Sequence, residues 1–335
     1  MTTTIAIAAP AIPGLRFRRY RGEDDLPGML RVYGAAHEAD GIQEVTTFEQ
    51  LRLNYENLVN CDPDRDITMA EVDGELVAYA RVFWQELVDG GRSYETFGFV
   101  HPDWRRRGIG GALLRHNESL LRDIAAGHEH VAPKLFSSEG IERDAGNVAL
   151  LRREGYTAVR YFHEMVAPTL EPVVVPPMPD GIELRPVERD QYRAIWEAEA
   201  EAFRDHWGEA EWTEADWRRF EADPDNADPR FWRVGWAENE IAGVVTTTVP
   251  AEENERHGRR RVYVSGVSVR RPWRRRGLAR ALLASSLAGA REAGFTSASL
   301  GVDTDSPTGA TDLYRSLGFA PEETFIAWRK PIEPD

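Results

Sequence analysis

The chain has 335 residues, 42% hydrophobic and 10% aromatic, enough for one large core or two ordinary ones. A net charge of −15 repels phosphate backbones, which argues against nucleic acid as a partner and favours neutral or cationic small molecules. The single cysteine, Cys61, can form no internal disulfide or cysteine zinc site, which fits a reducing cytoplasm, and no apolar run is long enough to span a bilayer.

In chain order, residues 1–14 are apolar but lack a basic leader, and read as a loose terminus rather than a signal peptide. Gly14-Leu-Arg-Phe-Arg is a short alternating strand that enters an acidic helix start at Glu23 and Asp24. The run ITMAEVDGELVAYARVFW reads as a hairpin turning at Asp73-Gly74. A strand from Tyr94 to Val100 follows, then a turn holding Trp104, then Arg105, Arg106, Arg107 and Gly108. Ile109, Leu113 and Leu114 next recur at helical spacing. LLRREGY closes this half at Gly155. Residues 168–181, with Pro172, Pro176, Pro177 and Pro179, favour extended backbone and mark a boundary.

The second half repeats the first, with matching features about 165 residues apart. Gly181-Ile-Glu-Leu-Arg matches the first strand, and FWRVGWAENEIAGVVTTTV matches the hairpin, turning near Asn239. VYVSGVSV runs into Trp273, Arg274, Arg275, Arg276 and Gly277, with Leu278, Leu282 and Leu283 at helical spacing. LYRSLGF at Gly318 matches LLRREGY. Each half is a strand, helices, a hairpin, a strand-loop-helix, another strand and a last helix. That order implies an α+β fold, with sheets covered by helices. In each strand-loop-helix, backbone N–H groups of the first helical turn have no partner within the helix, and the helix dipole is positive there. Gly108, Gly110 and Gly111, or Gly277 and Ala279, leave room for a phosphate, and the arginines add charge that suits a diphosphate.

Arg105-x-x-Gly108-x-Gly110 and Arg274-x-x-Gly277-x-Ala279, each after a strand ending in Val, resemble the acyl-CoA pyrophosphate loop of the GNAT superfamily of N-acetyltransferases. The resemblance implies two tandem domains, 1–168 and 181–335, joined by a linker at 169–180. Each would carry a mixed, mainly antiparallel sheet whose two central strands splay apart. It implies acetyl-CoA as co-substrate, a small-molecule primary amine as acceptor, and no metal. It also implies a cytoplasmic monomer or homodimer with no nucleic-acid or membrane partner. Cofactor contacts would fall on Val100, Arg105, Arg106, Arg107, Gly108, Ile109, Gly110 and Gly111 in the first half. In the second they would fall on Val267, Ser268, Val269, Arg274, Arg275, Arg276, Gly277, Leu278, Ala279, Arg280 and Ser306.

The family often protonates the leaving thiolate with a tyrosine near the start of the last helix, which here is Tyr314. The matching residue in the first half is Leu151, which cannot donate a proton, so the second half is expected to be catalytic and the first degenerate. Removing a proton from an amine of pKa ~10 at pH 7 costs about 4 kcal/mol, so a base is needed. Tyr263 and Tyr94 stand where the family often has a Glu, and Glu95 is one residue away, on the opposite strand face. Asp303, His206 and the acids of residues 201–217 remain candidates in the second half. Trp196, Phe203, Trp207, Trp212, Trp217, Phe220, Phe231 and Trp232 read mainly as core, with one or two lining an acceptor pocket. His128, His130 and His163 lack metal-ligand spacing, and Gly108-Ile-Gly110-Gly111 is not a dinucleotide fingerprint.

Overall fold

A computed structural model describes residues 5, 7–129, 134–171, 173–306 and 308–332; His130 and Pro172 lie outside the described residues. The chain forms two compact units, residues 1–160 with 325–335, and residues 161–324.

The first unit contains β1 (Leu15–Arg19), α1 (Leu26–Asp40), α2 (Phe48–Glu56), α3 (Pro63–Asp66), β2 (Ile67–Val72) and β3 (Glu75–Glu86). Then come β4 (Arg92–Val100), α4 (Ile109–Ala126), β5 (Leu135–Ile141), α5 (Ala145–Arg153) and the start of β6 (Thr157–Ala167). The second unit has the rest of β6, β7 (Glu183–Arg185), α6 (Tyr192–Phe203), α7 (Glu214–Ala222), β8 (Arg233–Ala237), β9 (Glu240–Thr248) and α8 (Ala251–His257). It continues with β10 (Arg261–Val269), α9 (Leu278–Glu292), β11 (Ser297–Asp303), α10 (Ala310–Arg315) and the first residues of β12 (Ala320–Pro331).

Strand order in the first unit is β1-β2-β3-β4-β5-β12, and in the second it is β6-β11-β10-β9-β8-β7. In each, the one parallel pair is central: β4 with β5, and β10 with β11. The other pairs are antiparallel, so both sheets are mixed and mainly antiparallel. The last strand of each sheet comes from the distant part of the chain. β12 pairs with β5 from Phe325 to Pro331, and β6 pairs with β11 from Phe162 to Ala167.

Local chemistry sets the element ends. Asp73 and Gly74 both have positive φ, which the tight β2–β3 turn requires, and Glu238 does the same at the β8–β9 turn. Thr47 with Gln50 and Thr213 with Asp216 form capping boxes at the starts of α2 and α7. The N-terminal stretch differs from the loose terminus expected. Ile5, Ile7 and Ile12 pack on the core around Phe17 and Ile109, and the Ile5 N–H donates to the Phe17 carbonyl at 3.0 Å. Its apolar residues find a hydrophobic face that local sequence cannot reveal.

Trp328, on the strand returning to the first unit, is 1% exposed in the cluster holding Tyr94, Leu121, Phe136 and Leu151. Trp328→Ala is expected to destabilise the first unit by about 3–5 kcal/mol, the usual cost of truncating a buried Trp. Urea unfolding followed by circular dichroism checks this.

Candidate active site

In both units the parallel central pair stays hydrogen-bonded only briefly. The β4–β5 ladder runs from Ser93↔Leu135 to Glu95↔Ser137, and the β10–β11 ladder from Arg261↔Ser297 to Val264↔Leu300. Beyond these points the two strands of each pair no longer bond to each other. The expected parting of the central strands is thus present in each sheet. Val267, Ser268 and Val269 lie in the parted stretch of β10, held on the other edge by β9.

The arginine-glycine turns come next, and they match in detail. Arg106 and Arg275 have φ of 62° and 61°, and Gly108 and Gly277 have φ of 92° and 83°. Left-handed backbone at alternating positions turns successive N–H groups toward one concave side, a geometry that suits an anion. Neither helix start has a side-chain cap, so the first-turn amides, including those of Ile109, Gly110 and Gly111 or Leu278 and Ala279, remain available. A Cβ on Gly277 would meet nothing within 4 Å, so the turn is open there, whereas one on Gly108 would meet Pro10 at 3.2 Å.

The three arginines of each turn divide the work. Arg105 donates from Nε to the Val100 carbonyl at 3.2 Å and grips Asp40 at 2.6 and 2.7 Å. Arg274 donates to the Val269 carbonyl at 2.8 Å and to Asp205 at 2.6 Å. Hydrogen bonds from Arg271 and Arg274 hold the Asp205 carboxyl well below the usual carboxylate range. The first arginine of each turn is therefore a strut between strand end and helix, and its charge is already met by an aspartate. Arg106, Arg107, Arg275 and Arg276 are exposed. Arg107 stacks 4.6 Å from the Trp104 ring centre. Asp40 was missed from the sequence and Asp205 entered only among the candidate bases, although each precedes its arginine at a similar spacing, 65 and 69 residues.

Tyr314 lies on α10, buried in the cluster that includes Leu278 and Val302, and burial pushes its phenol up to about 12. Leu151, at the matching place on α5, is buried core. Asp303 ends β11, and its Oδ1 accepts the Asp305 N–H at 3.0 Å. Ser306 sits in the following turn, 2.9 Å from the Thr308 hydroxyl, and Arg280 bonds Ser316. His206 packs on Phe203, and burial lowers its pKa. The tryptophans of 196–232 are chiefly core: Trp196 meets Trp212 and Trp217 at 5.3 and 5.7 Å, and Trp232 is buried beside Tyr192. Among the described residues, no group of three or more His, Cys, Asp or Glu side chains is placed to hold a metal, and no helix is long and apolar enough to cross a membrane.

Glu199 is the residue that sequence reasoning overlooked. It occupies the buried stripe of α6 with Ile195, Trp196 and Ala202, where an acid is out of place, and that spacing was the available signal. Its Oε1 accepts the Thr246 hydroxyl at 3.2 Å and lies so close to Gly266 that a Cβ there would collide with it. Burial pushes its pKa up to about 7. Gly266 follows a bulge at Ser265, where β10 slips one residue against β9 just as it leaves β11. The first unit differs at this point. Its β3–β4 register is unbroken, and Gly34, six residues before Asp40 as Glu199 is before Asp205, carries no acid. Instead Glu95 lies on β4 itself, bonded by Ser93 and raised by burial to about 7, with the pKa of Glu139 also raised by desolvation. A cavity of about 890 Å³ passes through this gap, from Gly108, Gly110 and Gly111 to Tyr33, Tyr55 and Arg81.

The sheet is duplicated, and in each copy the parallel strands part beside a glycine-opened helix start. Residues 32–135 and 192–319 match the acetyltransferase (GNAT) family, and the chain belongs to that family as an N-acetyltransferase. It is 31% identical to mycothiol acetyltransferase from Nocardiopsis dassonvillei, over 90% of this chain and 92% of that protein. It is 29% identical to mycothiol acetyltransferase from Geodermatophilus obscurus, over 90% and 93%. A GCN5-related N-acetyltransferase from Sphaerobacter thermophilus superposes with a TM-score of 0.70 at 28% identity, covering 96% of each chain.

The raised pKa of Glu199 has a stability consequence. In the unfolded chain an ordinary Glu titrates near ~4.3. Between that value and about 7 the folded state binds more protons, so this group's contribution falls as pH rises through the window. Glu199→Gln is expected to leave stability nearly unchanged at pH 4.5 and to raise it by up to about 3 kcal/mol at pH 8. Denaturant melts at both pH values check it.

Proposed function

We propose that the chain transfers the acetyl group of acetyl-CoA directly to a primary amine of a small molecule, and that the second domain, 181–335, does the chemistry. Residues 1–168 form the degenerate domain and 169–180 the linker. The observation that carries this reading is the buried Glu199 carboxyl set against Gly266, where bulged β10 leaves β11. The open Gly277 turn and exposed Arg275 and Arg276 hold the diphosphate. The N–H groups of Val267 and Val269, which point away from β9, polarise the thioester carbonyl. Glu199, with a pKa near neutrality, takes the amine proton directly or through water as nitrogen attacks the carbonyl carbon. The C–S bond then breaks, and the Tyr314 hydroxyl protonates the departing thiolate. Asp303 is the second candidate base; its Oδ1 is already engaged by the Asp305 N–H, which favours Glu199.

A mycothiol acetyltransferase-like activity is the narrower reading, favoured by about 30% identity to proteins of that name over nine tenths of the chain. A non-catalytic acyl-CoA-binding role is the competing class. It would be supported if no amine in a broad panel, including mycothiol-type acceptors, were acetylated.

Tyr314→Phe is expected to lower kcat by about 10²-fold with little change in KM for acetyl-CoA, as loss of a general acid does. Steady-state release of free thiol measures it, and unchanged kcat would remove Tyr314 as the acid. Gly277→Val forces a β-branched residue into left-handed backbone and is expected to raise KM for acetyl-CoA at least about tenfold. The same change at Gly108 is expected to leave turnover intact, and the reverse pattern would move the chemistry to the first domain.

A further inference from the structure

We propose that the first unit contains a separate binding site for an organic carboxylate, engaged by Arg81 and Tyr55. Arg81 lies on β3 opposite Phe97 of β4. Its guanidinium carbon is 4.7, 5.1 and 5.2 Å from the ring centres of Phe97, Tyr55 and Phe83. Three rings thus surround the cation. The Arg81 Nε and the Tyr55 hydroxyl are both sealed from solvent with no hydrogen-bond partner. Leaving a buried donor unpaired costs about 1–3 kcal/mol, and more when it is charged.

Four carboxylates of this unit are committed elsewhere, Asp40 to Arg105, Asp66 to Arg65, Glu71 to Arg18, and Glu44 to the Tyr33 hydroxyl, while Glu139 and Asp144 also border the cavity. Among the described residues no carboxylate pairs with Arg81. Arg81, Tyr55, Tyr33, Phe97 and Phe99 all border the cavity of about 890 Å³. A guanidinium and a phenol side by side call for a ligand group with two acceptor oxygens, which a carboxylate supplies. The aromatic walls call for an apolar body behind it. The site thus takes a carboxylic acid with an aliphatic or aromatic body. This differs in charge from the amine proposed for the second domain, so the two proposals stand or fall separately.

The test is isothermal titration of the full chain with matched acid–amide pairs: butyrate and butyramide, phenylacetate and phenylacetamide, indoleacetate and indoleacetamide. At least one acid is expected to bind ten or more times tighter than its amide. Arg81→Gln is expected to abolish that preference, and Tyr55→Phe to weaken the acid about three- to tenfold with circular dichroism unchanged. Should Arg81→Gln fail to fold, Tyr55→Phe carries the comparison. A cation that serves only to glue the rings together would not discriminate acid from amide. Equal binding within every pair, no binding by any acid, or a preference that survives these substitutions overturns the proposal.

Discussion

Two parallel strands that pair for three or four residues and then part are the constraint on which both units depend. A parallel ladder satisfies backbone groups on both edges of each strand. When it ends early, N–H and C=O groups are left facing a gap that must be filled by water or by ligand. The glycine turn enters it from one side of the sheet, and α1 and α2, or α6, border it from the other. The first arginine of each turn bonds the carbonyl at the strand end and an aspartate from the facing helix, which ties the two sides together. An Arg–carboxylate fork costs little to hold once both partners are oriented, and it fixes the turn in which the next arginine adopts left-handed backbone.

The two copies share this frame and differ in what they place along it. In the second unit the helix delivers a carboxyl to a bulge, and a buried phenol stands on the short last helix. In the first, the helix offers Gly34, the strand is regular, leucine replaces the phenol, and the acids come from the strands themselves as Glu95 and Glu139. The cavity of the first unit is bordered by aromatic rings around the Arg81 guanidinium.

Much of this was legible in the chain. The hairpin at Asp73-Gly74, the turn next to Asn239 and both strand-turn-helix units follow from local steric rules that act over a few residues. Duplication was visible because each local signal recurs in the same order. Other features involve residues far apart in sequence. Nothing near Arg105 or Arg274 announces that its charge is met by Asp40 or Asp205. Nothing near Trp328 announces that its strand completes the sheet of the first unit, because strand pairing is chosen by the hydrophobic face available and not by sequence distance. Glu199 was readable in principle, as an acid in an apolar helical stripe, but its meaning depends on Gly266 lying against it.

The amino-acid sequence by itself determined the duplication and the two strand-turn-helix units with their glycine turns, since each rests on short-range backbone preference and periodicity, and the motif in those turns carried the resemblance that implied the family and its mixed sheets. Tertiary structure alone decided which arginines are struts, which carboxyl is buried at the parting of the strands, and where a cation is left among aromatic rings. Those outcomes depend on burial and on partners that only packing brings together, and burial is what converts an ordinary side chain into a proton acceptor or a ligand contact.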